Sequence, residues 1–177
     1  MPIVAEYLLP TAGPPVVRVL ERTPQVANMM LARADTRPGE MIWISSQSGI
    51  NSAVVDFALE AKRLGLYTVA FTSKVHSSAV RSRHSSGKRL FEVCDETVDF
   101  GGYKGDACLD IAPGVRAGPL SSLSSVFLGH SILTAACARL EAGGVNCTYT
   151  SVNTPEGEGR NRAIEEHARL RDPLLKG

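Results

Sequence analysis

The chain has 177 residues, 44% hydrophobic and 21% charged, with a formal net charge of +1. That length suffices for one compact domain with a substantial core. Near-neutrality removes the global field that would argue for nucleic acid or an anionic membrane, and the uninterrupted apolar runs fall short of a membrane span. The opening MPIVAEYLLPTAGPP lacks a basic n-region and breaks at prolines, which reads against a signal peptide. Cys94, Cys108, Cys137 and Cys147 form no C-x-x-C pair and read as buried free thiols in a reducing cytoplasm. His76, His84, His130 and His167 show no H-x-x-x-H spacing, so neither metal nor cofactor is called for.

In chain order, residues 1–22 read as an irregular, Pro-rich segment. Thr23-Pro24 resembles an N-cap followed by proline at the first helical position. Val26, Met29, Met30 and Ala34 then share a helical face, with Arg33 at its edge. MIWIS (41–45) is a short continuous apolar run, the pattern of a strand buried on both faces. Val54, Val55, Ala58 and Leu59 share one face of a helix from Asn51 to Leu64, which Gly65 stops. LYTVAF (66–71) is the next strand, so a βαβ unit and a parallel sheet follow.

A polar stretch follows, then a short helix in GKRLFEVC, a short strand in ETVDF and a Gly-rich loop, GGYKGDACLDI. A long helix runs from about Ser122 to Ala142, with Leu123, Val126, Phe127, His130, Cys137 and Leu140 near one face. NCTYTSV (146–152) reads as a last strand, and the charged tail is helix-prone up to Pro173. The alternation predicts an α/β fold, with helices on both faces of a central parallel sheet. Ligands of such sheets bind beyond the carboxyl ends of the strands, which puts SSQSGIN (45–51), Thr72-Ser73 and the loop after ETVDF on one rim.

SSQSGIN is richer in hydroxyls and amides than a turn requires. A strand-to-helix loop offers unpaired N–H groups and the positive end of the helix dipole, which suits an anion. Gly49 permits close backbone approach, and Ser46, Gln47, Ser48 and Asn51 add donors. No lysine is present, so this is not a Walker A loop. A capped turn with Ser48 or Asn51 as N-cap explains the same residues equally well.

The motif Ser46-Gln47-Ser48-Gly49 after an apolar strand resembles the phosphosugar loop of SIS (sugar isomerase) domains. Pro119-x-Ser121-Ser122 resembles the helix start that lines the same pocket in that family. The segments TSKVHSSAVRSRHSSGKRLFEVCDETVD, GDACLDI and TSVN are similar to an uncharacterised bacterial group of single-SIS-domain, phosphosugar-binding proteins. The resemblance covers roughly residues 37–165. It implies a three-layer αβα sandwich of the flavodoxin-like SIS type over 23–165, followed by a charged tail at 166–177. It also implies a sugar phosphate as ligand and a homodimer or higher homo-oligomer formed through helices, the one at 122–142 and the N-terminal one being the candidates.

Two departures stand out. The βα unit that normally opens an SIS domain is not visible, which makes the chain an N-terminally shortened form or a fragment and predicts an incomplete sugar site. EGEGRN also stands where the group tends to have G-G-D-E-H-N.

Isomerising an aldose to a ketose needs a base near the C1–C2 edge. His84, Asp106, Asp110, Asp95 and His76 are the available groups, and His84 and Asp106 lead them. Arg81, Arg83, Lys88 and Arg89 surround His84; they would keep it neutral or hold substrate oxygens. A solvated basic loop and an ordinary turn aspartate are the plain alternatives. The reading is therefore a phosphosugar isomerase using His84 and Asp106, with Ser46, Gln47, Ser48, Gly49, Asn51, Thr72, Ser73, Ser121 and Ser122 binding substrate. A phosphosugar-binding or sensing module without catalysis is the alternative. The short basic cluster at 81–89 has no aromatic platform to support nucleic-acid binding.

Overall fold

The computed structural model describes residues 18–151 and 153–169. The expected N-terminal segment up to residue 17, the side chain of His167 and the end at Pro173 lie outside what is described. The chain divides into two compact units between Ser125 and Val126.

The first unit is built on a three-stranded parallel sheet of β1 (Met41–Ser45), β2 (Tyr67–Thr72) and β3 (Glu96–Asp99), in the order β1-β2-β3. Met41 pairs with Tyr67, and Val69 with Glu96. The expected burial on both faces belongs to the central strand β2, where every residue after Tyr67 is buried. β1 lies at the edge of the three, and only Ile44 is buried in it.

Helix α1 (Val26–Leu31), helix α2 (Ser52–Arg63) and the short helices α3 (Lys74–Ser78) and α4 (Leu90–Val93) complete the parallel part. Ile44 and Ala70 from the sheet, Val55 and Ala58 from α2, and Leu90 and Val93 from α4 form one core cluster. Burying a side chain such as Leu90 contributes about 1.5–3 kcal/mol. Leu31 of α1 closes on Ala61 and Leu66 beside it. On the opposite face Trp43, Phe71 and Phe100 stack in a row, with ring centroids 4.8 and 6.4 Å apart.

The α1 reading needs two corrections. Thr23 is not its N-cap; its hydroxyl donates to Val19 O, and Gln25 precedes the helix in a left-handed conformation (φ 66°). The buried face is Ala27 and Leu31, while Met29 is 70% exposed. The helix starts later than the Thr-Pro signal, which turns the buried stripe by one position.

The alternation of strands and helices also breaks. Residues expected to be loop form an antiparallel hairpin, β4 (Ala107–Ala112) with β5 (Val115–Pro119). Pro113-Gly114 makes its turn, with Gly114 at φ 73°, a conformation glycine adopts without steric cost. This Pro-Gly pair between two short runs was the available signal.

Helix α5 (Leu120–Ala142) starts directly after Pro119 and continues into the second unit. Its expected apolar face is largely exposed, with Leu123 at 64% and Phe127 at 71%, and His130 is exposed rather than core. Contrary to the reading from apolar runs, α5 is long and apolar enough to cross a membrane by length and composition. Serine, threonine and glycine interrupt its runs without adding charge.

In the second unit, residues 146–151 form no strand. Side chains replace the ladder. The amide of Asn161, in helix α6 (Pro155–Arg169), exchanges two hydrogen bonds with the backbone of Thr150, at 2.8 and 2.6 Å. Glu141 accepts from the backbone N–H groups of Cys147 and Thr148 and from Arg160. All four cysteines are free and only half-buried.

Candidate functional site

The loop between β1 and α2 is shaped by its own hydroxyls and by the next strand. Ser46 N–H donates to Phe71 O (2.9 Å), and Ser46 Oγ accepts from Gly49 N–H (3.1 Å). Gln47 O accepts from Thr72 Oγ1 and from Ser73 N–H, both at 3.2 Å. Gly49 is buried at φ 59°, and a Cβ there would lie 3.0 Å from Leu90 Cβ and 3.1 Å from Thr72 Oγ1. Only glycine fits both the turn and that gap.

The capped-turn alternative is not what the loop adopts. Asn51 holds the N-cap position, but its side chain makes no capping bond. Its Oδ1 accepts instead from Arg83 Nη1 at 2.8 Å, and Ala53 N–H donates to Glu21 O. Ser48 has no partner for its hydroxyl or its backbone N–H among the described residues, and the N–H groups of Gln47 and Asn51 are likewise unpaired there. These donors stand at the N-terminus of a twelve-residue helix, where the dipole favours negative charge.

Thr72 and Ser73 support this loop from beneath. Both are fully buried and their hydroxyls are spent, Thr72 on Gln47 O and Ser73 on Gly101 O (2.8 Å). Ser77, which sequence reasoning missed, is also fully buried. Its Oγ and Gln47 Oε1 are the buried polar side-chain atoms left without a partner among the described residues. Ser77 lies in a serine-rich stretch whose short helix carried no periodic signal.

The loop after β3 closes on the same rim. Gln47 Nε2 donates to Gly105 O (3.1 Å), and Gly105 N–H donates to His76 Nδ1 (2.9 Å). Asp106 follows, and both its oxygens are engaged by Ser121, one by the backbone N–H (2.7 Å) and one by the hydroxyl (2.9 Å). Asp106 thus caps α5, and Ser121 is turned toward it. Ser122 is exposed and has no partner among the described residues.

His84 is equally committed. Its Nε2 meets Asp56 Oδ1 at 2.9 Å, and its Nδ1 accepts from Ser86 N–H at 3.1 Å, with Ser86 Oγ at 2.7 Å. An N–H donor at Nδ1 places the ring proton on Nε2, directed at the carboxylate. His84 therefore pins the basic loop to α2 rather than presenting a base. The structure gathers the serine loop, Thr72 and Ser73 on one rim and ties both leading acid–base groups to other protein groups.

Asp110 pairs with Arg116 within the hairpin (2.9 Å). Asp95 lies before β3, at the opposite end of the sheet. Lys62 and the Thr68 backbone and hydroxyl donors hold its carboxyl down at about 2. His76 is the one acid–base candidate on the rim with a ring nitrogen, Nε2, unpaired among the described residues. Among those residues, no cluster of three or more His, Cys, Asp or Glu side chains could hold a metal ion.

A model of the SIS domain matches residues 1–73, the stretch that ends with the first loop and the strand beside it. The chain is 34% identical to a UPF0309 protein of Shouchella clausii over 83% of its own length and 61% of that protein's. It is 33% identical to one of Listeria monocytogenes, across 98% of this chain and 71% of the relative. A Geobacillus kaustophilus UPF0309 protein is 35% identical, across 98% and 70%. The chain thus spans about 61–71% of the length of these relatives. Parallel α/β sheet, serine loop and sequence agree, and the chain belongs to the UPF0309 family of SIS-domain proteins.

Proposed function

We propose that the protein binds a sugar phosphate, with the phosphate seated on the Ser46–Asn51 loop. One observation carries this: Ser48 keeps its backbone N–H and its hydroxyl unpaired in a loop whose other groups are largely tied down. Preorganised donors that are not spent on the protein are what an anion needs. Membership among SIS-domain proteins supports a phosphosugar as the carrier of that anion. The ligand's second wall would come from Ser122 at the start of α5, linked to the loop through Gln47, Gly105, Asp106 and Ser121.

Binding without turnover is the reading the site supports best, because His84 and Asp106 are both engaged by protein partners. Calorimetric titration with hexose, pentose, heptose and amino-sugar phosphates tests it, with Ser48→Ala as control. Saturable binding that weakens about tenfold in the variant is expected. Binding untouched by the variant removes the claim.

A second reading keeps aldose–ketose isomerisation, with His76 in place of His84 and Asp106. The contact with Gly105 gives His76 the donor's part: Nδ1 accepts, so Nε2 carries the proton on the rim and would donate to the substrate's carbonyl oxygen rather than take the C2 proton. Exchange of the sugar's C2 proton with solvent, lost in His76→Ala, is the expected sign of it.

A further inference from the structure

Arg83 reaches the loop from 32 residues away, and three contacts bracket Asn51 with it. Arg83 N–H donates to Ile50 O (2.9 Å), Ser52 Oγ donates to Arg83 O (3.4 Å), and Arg83 Nη1 donates to Asn51 Oδ1. The guanidinium has five N–H donors, and this is the one bond it makes among the described residues. Arg63 and Arg89, by contrast, pair with Glu60 and Glu92. No carboxylate pairs with Arg83 among the described residues, and the nearby Asp56 is taken by His84 and by Gln25 N–H. A full positive charge thus stands at the positive end of α2 with no counter-charge paired to it among the described residues. Two like electrostatic sources held together disfavour the empty state and favour an anion between them.

Asn51 adds an independent sign. It is only 7% exposed. Arginine donates and never accepts, so the amide must present Oδ1 to it, and Nδ2 becomes the outward branch. That nitrogen has no partner among the described residues. A side chain more than nine-tenths buried thus keeps two N–H donors unpaired at the N-cap position, three residues after the free N–H of Ser48.

We infer that Arg83 is the charged ligand of the phosphate seat, and that with Asn51 it makes the site selective for a dianionic phosphate monoester over neutral or singly charged sugars. This rests on the reading of the loop as a phosphate site. The carbonyl-bonded backbone of Arg83 keeps the guanidinium in place, so charge-assisted hydrogen bonds form without reordering the loop.

The test is calorimetric titration of the full chain with inorganic phosphate and with fructose 6-phosphate, at several salt concentrations. Wild type, Arg83→Gln, Arg83→Lys and Ser48→Ala are compared. Arg83→Gln is expected to weaken both probes by about tenfold or more and to flatten the salt dependence, while Arg83→Lys recovers part of the affinity. If Arg83→Gln binds like wild type while Ser48→Ala weakens, the role of Arg83 falls and the loop reading stands. A loss without change in salt dependence and without recovery by lysine makes Arg83 a mere support, which overturns its role as ligand. If wild type binds neither probe, both readings fall.

Discussion

The two ends of the parallel sheet both carry polar and charged residues and do opposite things with them. At the amino ends of the strands, Asp95 receives Lys62, Thr68 N–H and Thr68 Oγ1, and Thr68 Oγ1 in turn accepts from Asp95 N–H. Tyr67 OH donates to Glu96 beside them. Charge and donors cancel locally. At the carboxyl ends, Ser48, Asn51 and Arg83 leave donors and a cation unsatisfied by any described residue. Hydrogen bonds completed inside the protein stabilise the fold, whereas donors held rigid and unspent are available to something else. The contrast separates an end whose polar groups are paired within the protein from one whose donors stay unpaired among the described residues.

Substitutions can break that contrast in graded steps. The largest effect is expected at the turn that shapes the serine loop itself. Gly49→Val places a branched side chain at φ 59° and into the gap against Leu90 and Thr72, and should cost about 2–4 kcal/mol in chemical denaturation while abolishing ligand binding. Asp95→Ala comes next. It orphans the buried Thr68 donors, and a loss of about 2 kcal/mol at neutral pH is expected, with sugar-phosphate affinity unchanged. A drop in affinity there would show that the two ends are coupled.

Acid titration sharpens the same contact. The folded Asp95 pKa is depressed from the ordinary 3.8 to about 2, so its stabilisation is complete above pH 4 and is lost as pH falls from about 4 toward 2. Urea midpoints measured across that window should fall more steeply for wild type than for Asp95→Asn. Ser48→Ala should move stability by less than about 0.5 kcal/mol and yet weaken binding about tenfold, the inverse of Asp95→Ala. The smallest effect concerns Cys94. Burial pushes its thiol up to about 11, so alkylation at neutral pH should be slow, and urea that unfolds the chain should accelerate it.

Much of the parallel unit was legible in sequence because its signals are short-range. The apolar run 41–45, the Val55 and Ala58 part of the expected stripe (Leu59 turns outward, 39% exposed), and Gly65 after the helix fell where the structure has them. The hairpin at 107–119 was missed because its glycines read as loop, although Pro113-Gly114 between two short runs marks a turn. The expected strand at 146–152 has β-branched and aromatic content, but Asn161 and Glu141 take up backbone groups of its described part. The acid–base candidates were chosen by residue type and position on a rim. What decided their state was who else could reach them, Asp56 for His84 and Ser121 for Asp106.

By itself, the sequence determined a βα loop of serines and glycine entering an amphipathic helix, since strand period, helix period and the demand for a positive φ at Gly49 are local properties of the chain. Tertiary structure alone decided which donors stay free. Gln47 spends its amide N–H on a carbonyl 58 residues away, Asn51 spends only its acceptor Oδ1, on a guanidinium 32 residues away, and nothing described reaches Ser48. Hydrogen-bond satisfaction depends on distance in space, and no spacing within SSQSGIN could have announced that outcome.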